Sequence, residues 1–410
     1  MTKTDLSSWD NLQWRRRLET FGANDAPIVA SGPGGETDNV CNLGDLTDKG
    51  RETTLALGER LRRLYVDQLG FMPRLISDAD MFYLRATPMS RALESVQQTF
   101  WGMYPLSART AIFPPPTILT RTPQEETLFP NEANCRRYRN ESEDMQYLSS
   151  LISKWMPSQS PVQVDSHPRL SGIMDTVNST LAHGPKTRLP SVFYDAKARE
   201  IIERIGVEEW FSGFKENNEY RKVGIGSLAG DIVARMVGNV EKSGDDGLLE
   251  IGGKDGNLGA GRGGEKNIKF GLSGCHDTSL AALLSSLGCF EGEGWPPYTS
   301  HLAFELFKRT DDVTESIDNE NLGQPATASF PQQQKQNPIM TFFGSRSKTK
   351  VSTDGIARKP IVELSMTEKE KLKGHYVRVR YNDRPVIIPG CRTAGKHLDG
   401  DESFCTLVEI

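Results

Sequence analysis

With 410 residues and 49 Lys+Arg against 54 Asp+Glu, the chain carries a formal charge of −5, which excludes the basic footprint of a general nucleic-acid binder. Apolar residues at 37% and a mean hydropathy of −0.48 describe a globular, rather polar protein, and no run of 18 apolar residues offers a membrane-spanning helix. The six cysteines form no C-x-x-C pair, which argues against a zinc or dithiol site and leaves disulfides open.

In chain order, Thr47 is placed to cap a helix in which Leu57, Leu61, Leu64 and Tyr65 recur at helical spacing until Gly70 closes it. Residues 81–84 are a short apolar run of buried-strand type, followed by Arg85-Ala86-Thr87-Pro88 and a helix through Leu93 and Val96 to Phe100. Residues 106–232 lack strand alternation and hold helical stretches such as 145–155 and 196–211. Nine glycines in the 21 positions 244–264 read as a flexible loop by composition. A second strand at 268–272 leads into Ser273-Gly274-Cys275-His276-Asp277 and a helix through Leu280, Leu283, Leu284 and Leu287. The polar stretch 310–358 reads as a disordered insertion, because it offers too little apolar surface to offset its ordering entropy. Alternation over 376–381 meets 386–388 across Asn382-Asp383, a hairpin signal. The pattern predicts an α/β sheet domain formed by 1–105 and 233–309, a helical cap at 106–232, the insertion at 310–358, and a hairpin and tail at 359–410.

The two strand-to-helix junctions carry the chemistry. Each puts polar residues at the carboxyl end of a strand, where open α/β sheets bind ligands: Arg85 at one, His276 and Asp277 at the other. Helix N-termini there suit an anion, and an arginine fork matches phosphate oxygens. Spacing alone favours a blander reading, with Arg85 as a surface ion-pair partner and His276 as a satisfied core histidine. The segment Gly259–Gly264 formally matches G-x-G-x-x-G, but it precedes a strand instead of following one, the wrong order for a dinucleotide loop.

Leu84-Arg85-Ala86-Thr87-Pro88-Met89-Ser90-Arg91-Ala92-Leu93-Glu94-Ser95 resembles the second arginine motif of the histidine acid phosphatase family, and Gly271-Leu272-Ser273-Gly274-Cys275-His276-Asp277-Thr278 resembles its His-Asp motif. Leu43 to Gly50, Trp295 to Leu306, and the tail from Gly390-Cys391 to Leu407 are similar in type and order, with the lysophosphatidic-acid-phosphatase-like group the nearest branch. The resemblance implies a three-layer α/β sandwich around a mostly parallel sheet, of the phosphoglycerate-mutase-like kind. It also implies phosphomonoester hydrolysis through a phosphohistidine without metal or other cofactor. Arg85 would clamp the phosphate, His276 would contact the phosphoryl group, and Asp277 would protonate the leaving group. The substrate is then a small phosphomonoester, with a lysophospholipid phosphate as the branch implies.

One part of the pattern is missing. The family nucleophile lies in an Arg-His-Gly-x-Arg-x-Pro motif, and none of the six histidines stands in one. Only His183 precedes a glycine, and it reads as a loop residue within the helical region. The chain is therefore expected to lack a central strand, the nucleophile and two clamp arginines. It is read as a truncated, inactive form of an ordinary phosphatase, the alternative being a catalytically dead phosphate-binding protein. Met1 is followed by no apolar leader, so the cytoplasm is the default compartment, with a mitochondrial or secreted destination if an upstream segment is missing. The sequons at Asn140 and Asn178 then carry no weight. In the polar insertion, Gln336, Ile339, Phe342 and Phe343 match the Q-x-x-I-x-x-F-F pattern of sliding-clamp-binding peptides, a second and less favoured partner. Trp9 and Trp14 around three arginines have too little apolar content for an interfacial helix.

Overall fold

A computed structural model of the chain describes residues 17–22, 26–32, 34–38, 40–42, 44–130, 142–241, 268–309 and 356–410. The glycine-rich loop with Gly259–Gly264, the candidate clamp peptide Gln336–Phe343, Trp9, Trp14 and Asn140 lie outside the described residues.

A short antiparallel pair, β1 (Glu19–Phe21) and β2 (Pro27–Val29), comes first. Helix α1 (Asp48–Arg62) follows, with Thr47 accepting from Gly50 N–H at 3.3 Å as its cap. It runs on into a π-helical turn, Arg63–Gln68, before Gly70 turns the chain at φ +60°. Strand β3 (Phe82–Ala86) has all five residues buried, as a central parallel strand covered on both faces requires. It leads to α2 (Ser90–Met103) and β4 (Ile118–Leu119). Five helices then follow among the described residues: α3 (Ser142–Ile152), α4 (Leu170–His183), α5 (Ala196–Glu216), α6 (Asn218–Gly224) and α7 (Gly226–Glu241).

Strand β5 (Phe270–Gly274) returns to the sheet and feeds α8 (Asp277–Ser286). The parallel sheet has the order β4-β3-β5, with Leu84 opposite both Ile118 and Leu272. A second, antiparallel sheet takes β6 (Leu302–Lys308), β7 (His375–Tyr381), β8 (Arg384–Val386), β9 (His397–Leu398) and β10 (Asp401–Thr406), with α9 (Met366–Leu372) before β7. The protein is thus a mixed α/β fold, as expected. The hairpin turns at Asn382 (φ +46°) and Asp383 (φ +69°), a two-residue loop whose left-handed residues match strand twist. Its second strand stops at Val386, because Ile388 already leads into a helical turn at Pro389. Ile356, inside the stretch that composition marks as polar insertion, is buried at 5% exposure.

The first core centres on Phe82, which meets the rings of Phe100 and Tyr104 edge-on at 5.1 and 5.6 Å. A second core, around Leu148, Val162, Leu170 and Ile205, belongs to the helices between β4 and β5. The π-helical turn after α1 is tied to the antiparallel sheet by a buried polar bridge: Tyr65 donates to Glu305 at 2.8 Å, and Arg378 Nε donates to the other Glu305 oxygen at 2.7 Å. Burial, then the Glu305 charge, pushes the Tyr65 hydroxyl pKa upward, so it stays a donor. Of the cysteines, Cys391 and Cys405 are disulfide-bonded across 14 positions, while Cys41, Cys275 and Cys289 are free.

Helices α1 and α2 cross in backbone contact. A Cβ on Gly58 would lie 2.0 Å from Thr99 O, and one on Gly102 would lie 2.2 Å from Leu55 O. Neither obstacle is a movable side chain. Gly58→Ala is therefore expected to cost about 1–3 kcal/mol as the helices are forced apart, read as a lower urea midpoint. An unchanged midpoint would show that the helices do not meet there in solution.

Candidate functional site

Parallel pairing of β3 with β5 sets Arg85 opposite Ser273 and Ala86 opposite Gly274, so the two junctions end side by side. Thr87 N–H extends the ladder onto Gly274 O at 3.1 Å. A Cβ at Gly274 would come within 2.6 Å of both Ala92 O and Val96 Cγ2, so glycine lets α2 pass over the strand end. Helix α2 starts from Met89 and α8 from His276, and neither cap supplies a side-chain acceptor. Two helix N-termini with positive dipole ends thus flank one spot.

His276 lies there with Nε2 3.0 Å from the Thr87 hydroxyl and its ring stacked on Phe129 at 4.8 Å. Burial, then the positive charge of Arg91, holds its pKa below the usual histidine value, against a weaker opposite pull from Asp277 and Glu126. Asp277 is exposed at the first position of α8. Its Oδ1 accepts from Thr278 N–H at 2.8 Å, and its Oδ2 accepts from the indole N–H of Trp295 at 2.7 Å. Next to them Cys275 is a buried thiol whose pKa burial raises to about 12, which leaves it a poor nucleophile.

Arg85 is close in sequence and differently employed. It is only 3% exposed, and its terminal nitrogens donate to Glu126, to Thr127 at 2.8 Å and to Asp231 at 3.2 Å. Arg121 also reaches Asp231 at 3.3 Å, so two arginines face two carboxylates. Within this cluster Arg85 Nε and Glu126 Oε2 are buried without a hydrogen-bond partner. The ion-pair reading of Arg85 is therefore right in kind, although the pair is buried and not on the surface. Its fork is filled by the protein's own carboxylates.

The cation that sequence reasoning passed over is Arg91, in the first turn of α2. Among the described residues it pairs with no carboxylate, touching only Gly44 O at 3.5 Å, and it is near enough to repel a proton from His276. The signal was present in the motif: Arg85 falls inside a buried strand, whereas Arg91 falls six residues later, at the strand's ligand-binding end. His183 is not a loop residue but the last residue of α4, because its Nδ1 bonds back to Ser179 O at 2.8 Å within the helix. Since a carbonyl only accepts, Nδ1 carries the hydrogen, and Nε2 faces the Thr47 hydroxyl at 3.0 Å.

Residues 4–319 match the family model of the histidine phosphatase superfamily, branch 2. A probable acid phosphatase of Schizosaccharomyces pombe is 34% identical over 412 residues, covering 97% of this chain and 79% of its own length. Lysophosphatidic acid phosphatase type 6 of Homo sapiens is 26% identical over 272 residues, 65% of this chain, and the match spans only 57% of that relative. Among solved structures, the phytase of Citrobacter braakii aligns over 90% of this chain and 86% of its own at 13% identity, with a TM-score of 0.44. The chain belongs to branch 2 of the histidine phosphatase superfamily.

Two expectations follow from the buried groups. Arg85→Ala leaves Glu126 as an uncompensated buried charge and should cost about 3–5 kcal/mol, measured by denaturant unfolding; a loss under about 1 kcal/mol would mean that the pair is solvated. Burial first depresses both His276 and His301. Between their lowered folded midpoints and the ordinary value near ~6.5 the unfolded chain binds more protons. Stability is then complete above that window and is lost as pH falls through it. Melting curves at pH 5.5 and 7.5 should show this difference, and His301→Gln should reduce it; an equal difference in the variant would remove His301 from the account.

Proposed function

We propose that this chain carries the phosphate pocket of an acid-phosphatase-type phosphomonoesterase, with the phosphoryl group held by His276, Arg91 and the N-termini of α2 and α8. Asp277 serves as proton donor to the leaving oxygen. Arg85, first expected to clamp the phosphate, is assigned the brace behind the pocket. The observation that carries this assignment is the contrast between the two arginines: Arg85 is bound to Glu126, Asp231 and Thr127, while Arg91 pairs with no carboxylate among the described residues.

In the family's reaction a histidine attacks phosphorus, the leaving oxygen takes a proton from the acid, and water then hydrolyses the phosphohistidine. Splitting the displacement in two lowers each barrier. These 410 residues contain no Arg-His-Gly, so they hold the acid and half of the anion clamp without the usual nucleophile. The chain as given therefore binds a phosphomonoester without turning it over. The names of its relatives favour a small phosphomonoester, a lysophospholipid phosphate among them. The helices between β4 and β5, carrying their own core, are assigned as the cap that selects the leaving group.

Sulfate tests the pocket well because it stays dianionic while His276 titrates. With half of the clamp missing, a dissociation constant on the order of millimolar is expected, about −4 kcal/mol. Binding should strengthen as pH falls below the ordinary histidine range and His276 gains its charge. Arg91→Ala should weaken it about tenfold, or ~1.4 kcal/mol, while hydrolysis of p-nitrophenyl phosphate stays at background. Binding indifferent to Arg91→Ala would remove Arg91 from the pocket. Turnover abolished by His276→Ala would show that another nucleophile operates.

A further inference from the structure

We propose that Trp295 is a positioning residue for Asp277, and that through it helix α5 sets the orientation of the leaving-group acid. The inference rests on the assignment of Asp277 as that acid. Asp277 is exposed, and an exposed carboxylate ordinarily samples several rotamers, whereas proton transfer requires its oxygen within ~2.6–3.2 Å of the leaving atom. Here both oxygens are occupied. Oδ1 takes the backbone N–H of Thr278 from its own helix, and Oδ2 takes the Trp295 indole at 2.7 Å. Only the second bond comes from outside α8, so it determines which way the carboxyl plane faces.

Trp295 is itself held by α5. Its backbone N–H donates to Glu203 at 2.9 Å. Its ring packs edge-on to Trp210 at 6.1 Å and tilted against Phe211 at 5.0 Å. A Cβ on Gly294 would lie 2.2 Å from Glu203 Oε1, so glycine at 294 keeps the anchor in reach. Three residues of one helix, Glu203, Trp210 and Phe211, therefore hold one indole, and that indole orients one carboxylate. A shift of α5 when a substrate enters would turn the acid with it, coupling leaving-group fit to proton delivery.

The test uses the full chain with 15N-labelled indoles and 13C-labelled aspartate. In wild type, the Trp295 Nε1–H signal, identified by its loss in Trp295→Phe, should be downfield and slow to exchange. Asp277→Ala should move it upfield and speed exchange at least tenfold. Replacing Trp295 with 3-benzothienylalanine, which has sulfur in place of the N–H, keeps the ring on α5 and should leave the melting temperature within about 2 °C. The χ1 couplings of Asp277 should then change from a single rotamer to an average, which a merely structural role would not produce. Glu203→Ala should give a partial version of the same averaging if the sulfur variant does not fold. A single Asp277 rotamer retained without the indole bond, or an indole proton exchanging freely in wild type, would overturn the inference. Rotamer averaging in a chain that does not bind sulfate would support the positioning role and defeat the phosphatase reading instead.

Discussion

A cation in the middle of a buried strand is the constraint from which the pocket follows. Arg85 sits in β3 with 3% exposure, and a charge there is tolerable only with anions close by. The sheet has none to give, so the anions come from afar: Glu126 from the loop after β4 and Asp231 from α7. Holding Glu126 fixes its loop, whose Leu128 N–H returns to Glu126 at 2.7 Å and whose Leu128 carbonyl accepts from Ser279 of α8. Phe129, next in that loop, is thereby laid under His276. One buried guanidinium thus ties together the strand, the helical segment and the histidine platform.

That dependence explains which features the sequence revealed. The junctions after β3 and β5, the Thr47 cap and the Asn382-Asp383 turn are local, each decided by residues within a few positions of one another, and each was readable. The partners of Arg85 lie 41 and 146 positions away, and a pattern of 3.6 or two residues carries no trace of them. The same holds for Trp295 and Asp277, 18 apart with a helix and a turn between them. His183 was misread for a different reason. With no apolar strand before it, it read as a loop residue, but it closes a helix that ends at Gly184 with φ +89°. Family resemblance pointed to two segments that the fold brings side by side, and within one of them to an arginine that the fold pairs with Glu126 and Asp231.

The electrostatics of the pocket follow the same division. Arg85 and Arg121 are balanced by Glu126 and Asp231, so that cluster adds no net charge toward a ligand. Arg91, which pairs with no carboxylate among the described residues, then stands beside His276, and its charge helps keep the imidazole neutral. In the proposed pocket, a dianion at neutral pH would meet one full positive charge and two helix termini, whose effect is screened within a turn. Protonation of His276 adds a second charge only once pH falls below the ordinary histidine range. In the proposed pocket, acid conditions therefore strengthen the grip on an anion while they weaken the fold that provides it, with His276 contributing to both effects and His301 to the second.

The acid and the cation are also held by different parts of the molecule. Arg91 rides on α2, which is locked to α1 through Gly58 and Gly102 and to the strand end through Gly274. Asp277 takes its orientation from Trp295, and Trp295 from α5. In the proposed function, phosphate binding is thus referred to the sheet layer, while proton delivery is referred to the helical segment. Because transition-state stabilisation would need both at once, a change in the helices would alter which leaving group suits the proposed acid without touching the groups proposed to hold the phosphate.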